Sequence, residues 1–223
     1  MKNYNLQAHI KTSYRTLPGM ISGILREAIL SGELSGGLQL KQEELALKFG
    51  VSLSALREAL KSLEAEGLVK FNPNRGAVVC ELSPEEACEI FDIRLFLELG
   101  ALELAIPHLT TTDIAEAEAV LQEADTETDS RHWGELNLRF HEILYQAAGR
   151  PKLLALIQTM HNNVERYMRL YLATMKYQAK SQQEHRQLLT ACAKKDVKKA
   201  QAILRKHMAE ASASLAGYLH QPS

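Results

Sequence analysis

Apolar residues recur at helical spacing along most of the chain and switch to a strand-like pattern in one short window. Over Pro18 to Leu30, Ile21, Ile24, Leu25 and Ile29 share one face of a helix. Leu45, Ala46 and Phe49 do the same over Gln42 to Phe49. Gly50 ends that helix, because glycine accepts the left-handed conformation of a helix terminus. Ser52 or Ser54 can then cap a third helix, whose inward face carries Leu56, Ala59, Leu60 and Leu63 and which Gly67 stops. Two short β runs follow, Leu68 to Phe71 and Ala77 to Val79, around the turn sequence Asn72-Pro73-Asn74-Arg75-Gly76. Two short helices joined at a glycine make a helix-turn-helix, and the hairpin after them makes a wing with Arg75 near its tip. The second helix of such a motif enters the major groove with its N-terminal side chains facing base edges.

Beyond residue 80 no β pattern appears. Ser83-Pro84 opens a helix, with Ser83 as the cap and Pro84 at the first helical position. The spacing predicts helices over 84–108, 112–126, 130–148, 152–175, 178–194 and 197–219, the first carrying Ile90, Ile93, Leu97 and Ala101 along its inward stripe. Six helices with short connections predict an antiparallel bundle. The chain is therefore expected to be mostly α: a loose tail over 1–16, a winged helix-turn-helix over 17–80, and a helical ligand-binding and dimerisation domain over 81–223.

The stretch from Ile29 to Val79 resembles the winged helix-turn-helix of the GntR family of bacterial transcription regulators. The residues that carry the likeness are Gly32 with Leu40, Glu44-Leu45-Ala46, Gly50-Val51-Ser52, Leu56-Arg57-Glu58-Ala59-Leu60, Leu63-Glu64, Glu66-Gly67-Leu68-Val69 and Arg75-Gly76. The resemblance implies DNA contacts from Ser52, Leu53, Ser54, Arg57, Lys61, Arg75 and Gly76. Leu53 stands where the family commonly has arginine, and Glu43 where it is often basic. Leucine cannot hydrogen-bond a base edge but can touch a thymine methyl. A single winged domain makes few phosphate contacts, so a homodimer on a palindromic double-stranded operator is expected.

Charge changes the picture only modestly. Residues 1–80 hold ten Lys/Arg against seven Asp/Glu, and residues 81–223 hold sixteen against twenty. The basic part suits phosphates and the acidic part does not. No apolar run is long enough to span a bilayer, the first thirty residues lack a signal-peptide core, and three scattered cysteines make no disulfide framework. The chain reads as cytoplasmic, without membrane association.

Histidines carry the candidate chemistry. His141, His185 and His207 each sit mid-helix on an apolar face, so three inward imidazoles can meet inside the bundle. Imidazole suits zinc, nickel, copper and iron, and three histidines with open positions suit an accessible metal site. The alternative for each is a satisfied core residue. The bundle resembles the ligand-binding domain of the FadR subgroup of the same family, on Arg94 with Leu97-Glu98 and Ala101, Asn137 to His141, Ala147-Ala148-Gly149, Glu184-His185 and Arg205-Lys206-His207. That resemblance implies a divalent metal, zinc or nickel, on Asn137, His141, His185 and His207. Asn137 replaces the commoner aspartate and is a weaker, neutral ligand. It also implies an effector pocket of Arg94, Asn137, His141 and Tyr145, in which Arg94 holds a carboxylate bidentately; Arg94 paired with Glu98 one turn away is the alternative. Trp133 reads as a packing residue, and Tyr167, Tyr171 and Tyr177 as pocket lining or core.

A metalloenzyme is the rival reading. No glutamate stands three residues before any histidine, which removes the di-iron bundle pattern. Glu142 and Glu184 adjoin histidines, but neighbours on a helix point about 100° apart, so neither is aimed as a base. A protein-interaction module without effector is the third reading. A ligand-responsive transcription regulator, not an enzyme, fits the pattern best.

Overall fold

The structure, a computed structural model, describes residues 16–81, 83–174 and 178–220, without the side chains of residues 166, 167 and 169–174. It divides into two compact units, residues 1–82 and 83–223. The tail expected over 1–16 lies, except for Thr16, outside the described residues.

In the first unit α1 (Leu17–Leu30), α2 (Gln42–Phe49) and α3 (Leu53–Ala65) pack on a small sheet. Thr16 caps α1 and Ser52 caps α3 through Ala55 N, which decides between the two candidate serines. Gly50 closes α2 in the left-handed region, at φ 65°. Strands β2 (Val69–Asn72) and β3 (Gly76–Val79) pair antiparallel, with Asn72 opposite Gly76 and Phe71 opposite Ala77. A third strand, β1 (Gln39–Leu40), adds to the far side of β3. Two residues are too short for a period-two pattern, so the sequence reading missed it. Leu56, Ala59, Leu60 and Leu63 are fully enclosed with Ile21, Leu25, Ile29, Val69 and Val79. Losing one such leucine to alanine costs about 2–5 kcal/mol.

The second unit is helical: α4 (Pro84–Ala105), α5 (Thr111–Thr126), α6 (Ser130–Gln146), α7 (Pro151–Thr174), α8 (Gln178–Ala193) and α9 (Val197–Leu219). Capping boxes at Ser83/Glu86 and Thr110/Asp113 start α4 and α5, and Asp129 and Asp196 cap α6 and α9. The first helix expected to reach residue 108 ends at Ala105, and Ile106–His108 tightens into a 3-10 turn. Pro107 lacks the N–H that a further α turn needs. Met175 and Tyr177, where two expected elements meet, lie outside the described residues.

The inward stripe of α4 is a correction. The buried residues are Ala87, Phe91, Arg94, Glu98, Leu99, Ala101, Leu102 and Ala105. Of the expected stripe only Ala101 is buried; Ile93 is 39% exposed, and Ile90 and Leu97 are half-buried. Hydrophobicity alone favoured Ile90–Ile93–Leu97. The helix is instead rotated to place an ion pair, Arg94 and Glu98, inside the unit.

Candidate functional site

In the first unit the wing tip and the start of α3 form a cleft of about 450 Å³. Leu53, Arg57, Arg75 and Gly76 line it together with Lys41 and Gln42. Sequence-distant residues are thus brought together. Ser54 and Lys61 are exposed but lie outside the cleft, and Ser52 spends its hydroxyl on the α3 cap. Gln42 was not anticipated: its Oε1 accepts from Arg57 Nε at 3.0 Å, so it aims the guanidinium. Gln39 Nε2 donates to the Arg75 carbonyl at 2.7 Å and holds the wing tip. A fixed guanidinium can read guanine O6 and N7, and an exposed Arg75 at the tip suits phosphate.

In the second unit His141 from α6, His185 from α8 and His207 from α9 converge. Ring centroids lie 5.0 Å apart for His141 and His185, 5.7 Å for His141 and His207, and 4.8 Å for His185 and His207. One ligating nitrogen from each falls within 4.8 Å of the others. Ligands about 2.0–2.1 Å from a tetrahedral zinc stand roughly 3.4 Å apart, so small ring rotations complete the geometry.

The hydrogen bonds settle which nitrogen is available. Tyr145 OH lies 2.8 Å from Glu98 Oε2, a carboxylate that can only accept, so the tyrosine donates there. Burial and the adjacent Glu98 push the Tyr145 hydroxyl well above its ordinary pKa, which keeps that proton in place. Tyr145 can then only accept from His141 Nδ1, 3.2 Å away, and Nδ1 must carry the hydrogen. His207 Nδ1 donates to Glu184 Oε2 at 2.9 Å. Gln182 gives its amide N–H groups to the Leu121 carbonyl and Asp125, so its Oε1 is left to accept from His185 Nδ1 at 3.3 Å. All three rings therefore have Nδ1 committed, which leaves Nε2 as the candidate ligating atom of each. Ser181 Oγ lies 3.4 Å from that of His185. Burial, with the neighbouring His207 ring and arginines acting in the same direction, pushes His141 and His185 well below the ordinary histidine pKa and keeps those two rings neutral. Neutral rings, each held through Nδ1, are what a metal requires of histidine. The donor set fits a divalent ion.

A cavity of about 50 Å³ adjoins the histidines, lined by Arg94, Trp133, Asn137, His141 and His207 among others. A water needs roughly 10–15 Å³, so the cavity holds an ion with a few waters, and a larger ligand must widen it. Arg94 is 8% exposed and gives Nε to Glu98 Oε1 at 2.9 Å, its one hydrogen-bond partner among the described residues. The pairing of Arg94 with Glu98 one turn away is therefore present, and it engages Nε alone. Tyr145 does not line the cavity; it stands behind His141 as its support. The side chains of Tyr167 and Tyr171, and all of Tyr177, lie outside the described residues. Glu184, Gln182 and Glu98 act on the site through other side chains. Glu184 serves a histidine on a different helix, so its adjacency to His185 in sequence pointed the wrong way.

Residues 18–79 match the family described as bacterial regulatory proteins, gntR family, and residues 89–210 match the FCD domain. The chain is 29% identical over 188 residues to an uncharacterized HTH-type transcriptional regulator, YdhC, of Bacillus subtilis, covering 82% of this chain and 84% of that protein. It is 29% identical over 149 residues to the gluconate operon transcriptional repressor of Bacillus licheniformis, covering 66% of this chain and 61% of that protein. Among solved structures, a GntR-family transcriptional regulator from Pseudomonas syringae pv. tomato shares 35% identity at a TM-score of 0.59, over 94% of this chain and 88% of the other.

Proposed function

The chain belongs to the gntR family of bacterial transcription regulators and carries an FCD domain, and from that premise we propose that its operator affinity is set by a small carboxylate bound beside a metal ion in the helical unit. It is a DNA-binding regulator rather than an enzyme. His141, His185 and His207 hold one zinc or nickel ion through Nε2, and Asn137 on the same face of α6 is a weak or water-mediated fourth ligand. When bound, the metal supplies a positive centre for an anionic effector. Arg94 binds the effector carboxylate with its free guanidinium nitrogens, while Glu98 and Tyr145 hold Arg94 and His141 in place. The observation that carries this reading is the set of three buried imidazoles whose Nδ1 atoms are all committed, two of which, His141 and His207, line one cavity with Arg94. The relative named for the gluconate operon, and so for a carboxylate, supports the effector class.

The regulator acts as a homodimer on a palindromic operator. Ile93, Phe96 and Leu104 on α4 and Leu156 on α7 are 39%, 73%, 40% and 53% exposed, and α4 packs against α7, so an apolar strip is available for a second copy. The effector then biases two arrangements of the dimer by binding one better. Among the described residues no helix is long and apolar enough to cross a membrane, and the proposed setting is the cytoplasm.

Elemental analysis of untagged protein purified without chelators is the test, followed by zinc and nickel titration and by operator binding with and without small carboxylates. One metal per chain and a carboxylate-dependent shift in operator affinity are expected. A protein that takes up neither ion leaves the histidines as a polar pocket and removes the metal from the proposal.

A further inference from the structure

Trp133 is not simply a packing residue. It is 2% exposed and contributes to the cavity wall, yet its indole Nε1 has no hydrogen-bond partner among the described residues. Buried indole N–H groups ordinarily find an acceptor, and an orphan one calls for an explanation. Its neighbour Gly134 also lines the cavity. A glycine inside a helix is a poor helix former, and a Cβ built on Gly134 meets nothing within 4 Å. No contact with another part of the fold requires glycine there, and the missing side chain leaves the cavity wall open at that point.

Trp133, Asn137 and His141 follow at four-residue spacing along α6 and all line the cavity. The backbone rises about 12 Å from Trp133 to His141. One end of this face carries His141, and the other carries the buried, unpaired Trp133 Nε1 with Gly134 beside it in the cavity wall.

We propose that Trp133 and Gly134 form a distal effector subsite, in which the indole N–H donates to an acceptor group on the far end of a carboxylate anchored beside His141 and Arg94. This inference rests on the carboxylate reading above and narrows it. The effector class is an elongated hydroxy- or dicarboxylate, and a short monocarboxylate fills only the histidine end.

The test uses zinc-loaded full-length protein and a panel of two- to six-carbon mono-, hydroxy- and dicarboxylates, including acetate, succinate and D-gluconate. Trp133 is the one tryptophan of the chain, so its fluorescence reports binding directly; calorimetry serves for the variants. At least one elongated member is expected to bind about tenfold or more tighter than acetate. Trp133→Phe removes that advantage and leaves acetate unchanged. Gly134→Ala leaves the melting temperature equal or higher but weakens the elongated ligand alone, which separates lost space from misfolding. If both variants bind it as the native chain does, or if acetate binds equally well, the distal subsite falls and the carboxylate reading stands. If no member of the panel binds, both fall.

Discussion

The two units place their functional groups in opposite environments. Arg57, Lys61 and Arg75, the candidate DNA contacts of the winged unit, are exposed. In the helical unit Arg94, His141, His185 and His207 are 8%, 7%, 1% and 7% exposed, and each is held by a second side chain. An exposed cation depends on ionic strength and tolerates small displacement, because water screens it. A buried imidazole depends on its hydrogen-bond partner and on pH, because desolvation makes both the wrong tautomer and the charged form costly. The same chain therefore contains one surface tuned by salt and one centre tuned by protons and neighbours.

The largest expected effect is in the buried centre. His185→Ala abolishes stoichiometric metal and the thermal stabilisation it brings, while leaving metal-free operator binding by the winged unit largely intact. Glu184→Gln, which keeps the volume and loses the anionic acceptor for His207 Nδ1, lowers metal affinity by about 10- to 100-fold. Chelator competition measures both. Equal affinity in Glu184→Gln would erase the distinction drawn between the units, since the supporting carboxylate would then not matter.

Next comes Arg57. Arg57→Ala is expected to cost about 1–3 kcal/mol on the operator if Arg57 contacts a base, and to relax preference at one step of each half-site. Gln42→Ala should blur the same step, and should add nothing in the Arg57→Ala background. Additive losses in fluorescence anisotropy would show that Gln42 does not act through Arg57.

The pH response sharpens the contrast. His141 and His185 have folded-state pKa values below the unfolded value of about 6.5, so the unfolded chain binds more protons as pH falls. Stability of the metal-free protein is retained above that pH and declines below it, by about 1.4 kcal/mol per pH unit for each histidine that stays neutral. Urea titrations between pH 7 and pH 5 follow it. A flat profile would mean that the rings are solvated rather than buried.

The smallest effect belongs to the wing tip. Arg75→Ala should weaken operator and random DNA alike and reduce the salt slope by about one. Loss confined to the operator would instead make Arg75 a base reader.

Much of this was legible before any coordinates. The winged unit is written in local signals: Gly50 in the left-handed region, a serine cap at Ser52 or Ser54, and the leucines of α3 at three- and four-residue spacing. The histidine trio was legible as three inward imidazoles on separate helices. The rotation of α4 was not. Spacing leans Arg94 inward beside Ile90 and Leu97 and offers Glu98 as its partner, but only packing against the other helices buries both and leaves Ile93 outside. Strand β1 was hidden because its two residues are specified by the edge of β3 rather than by their own pattern.

Residue type and period along the chain determined the helices, the wing hairpin and the three inward histidines, because helix faces and turns are set by neighbours within a few residues; the candidate DNA contacts came from the family resemblance. Only the tertiary structure decided the tautomers, the partnership of Glu184 with His207, the guidance of Arg57 by Gln42, and the unpaired indole of Trp133. Hydrogen bonds between distant segments are directional and short-ranged, and no local pattern records which segment will come within 3 Å of another.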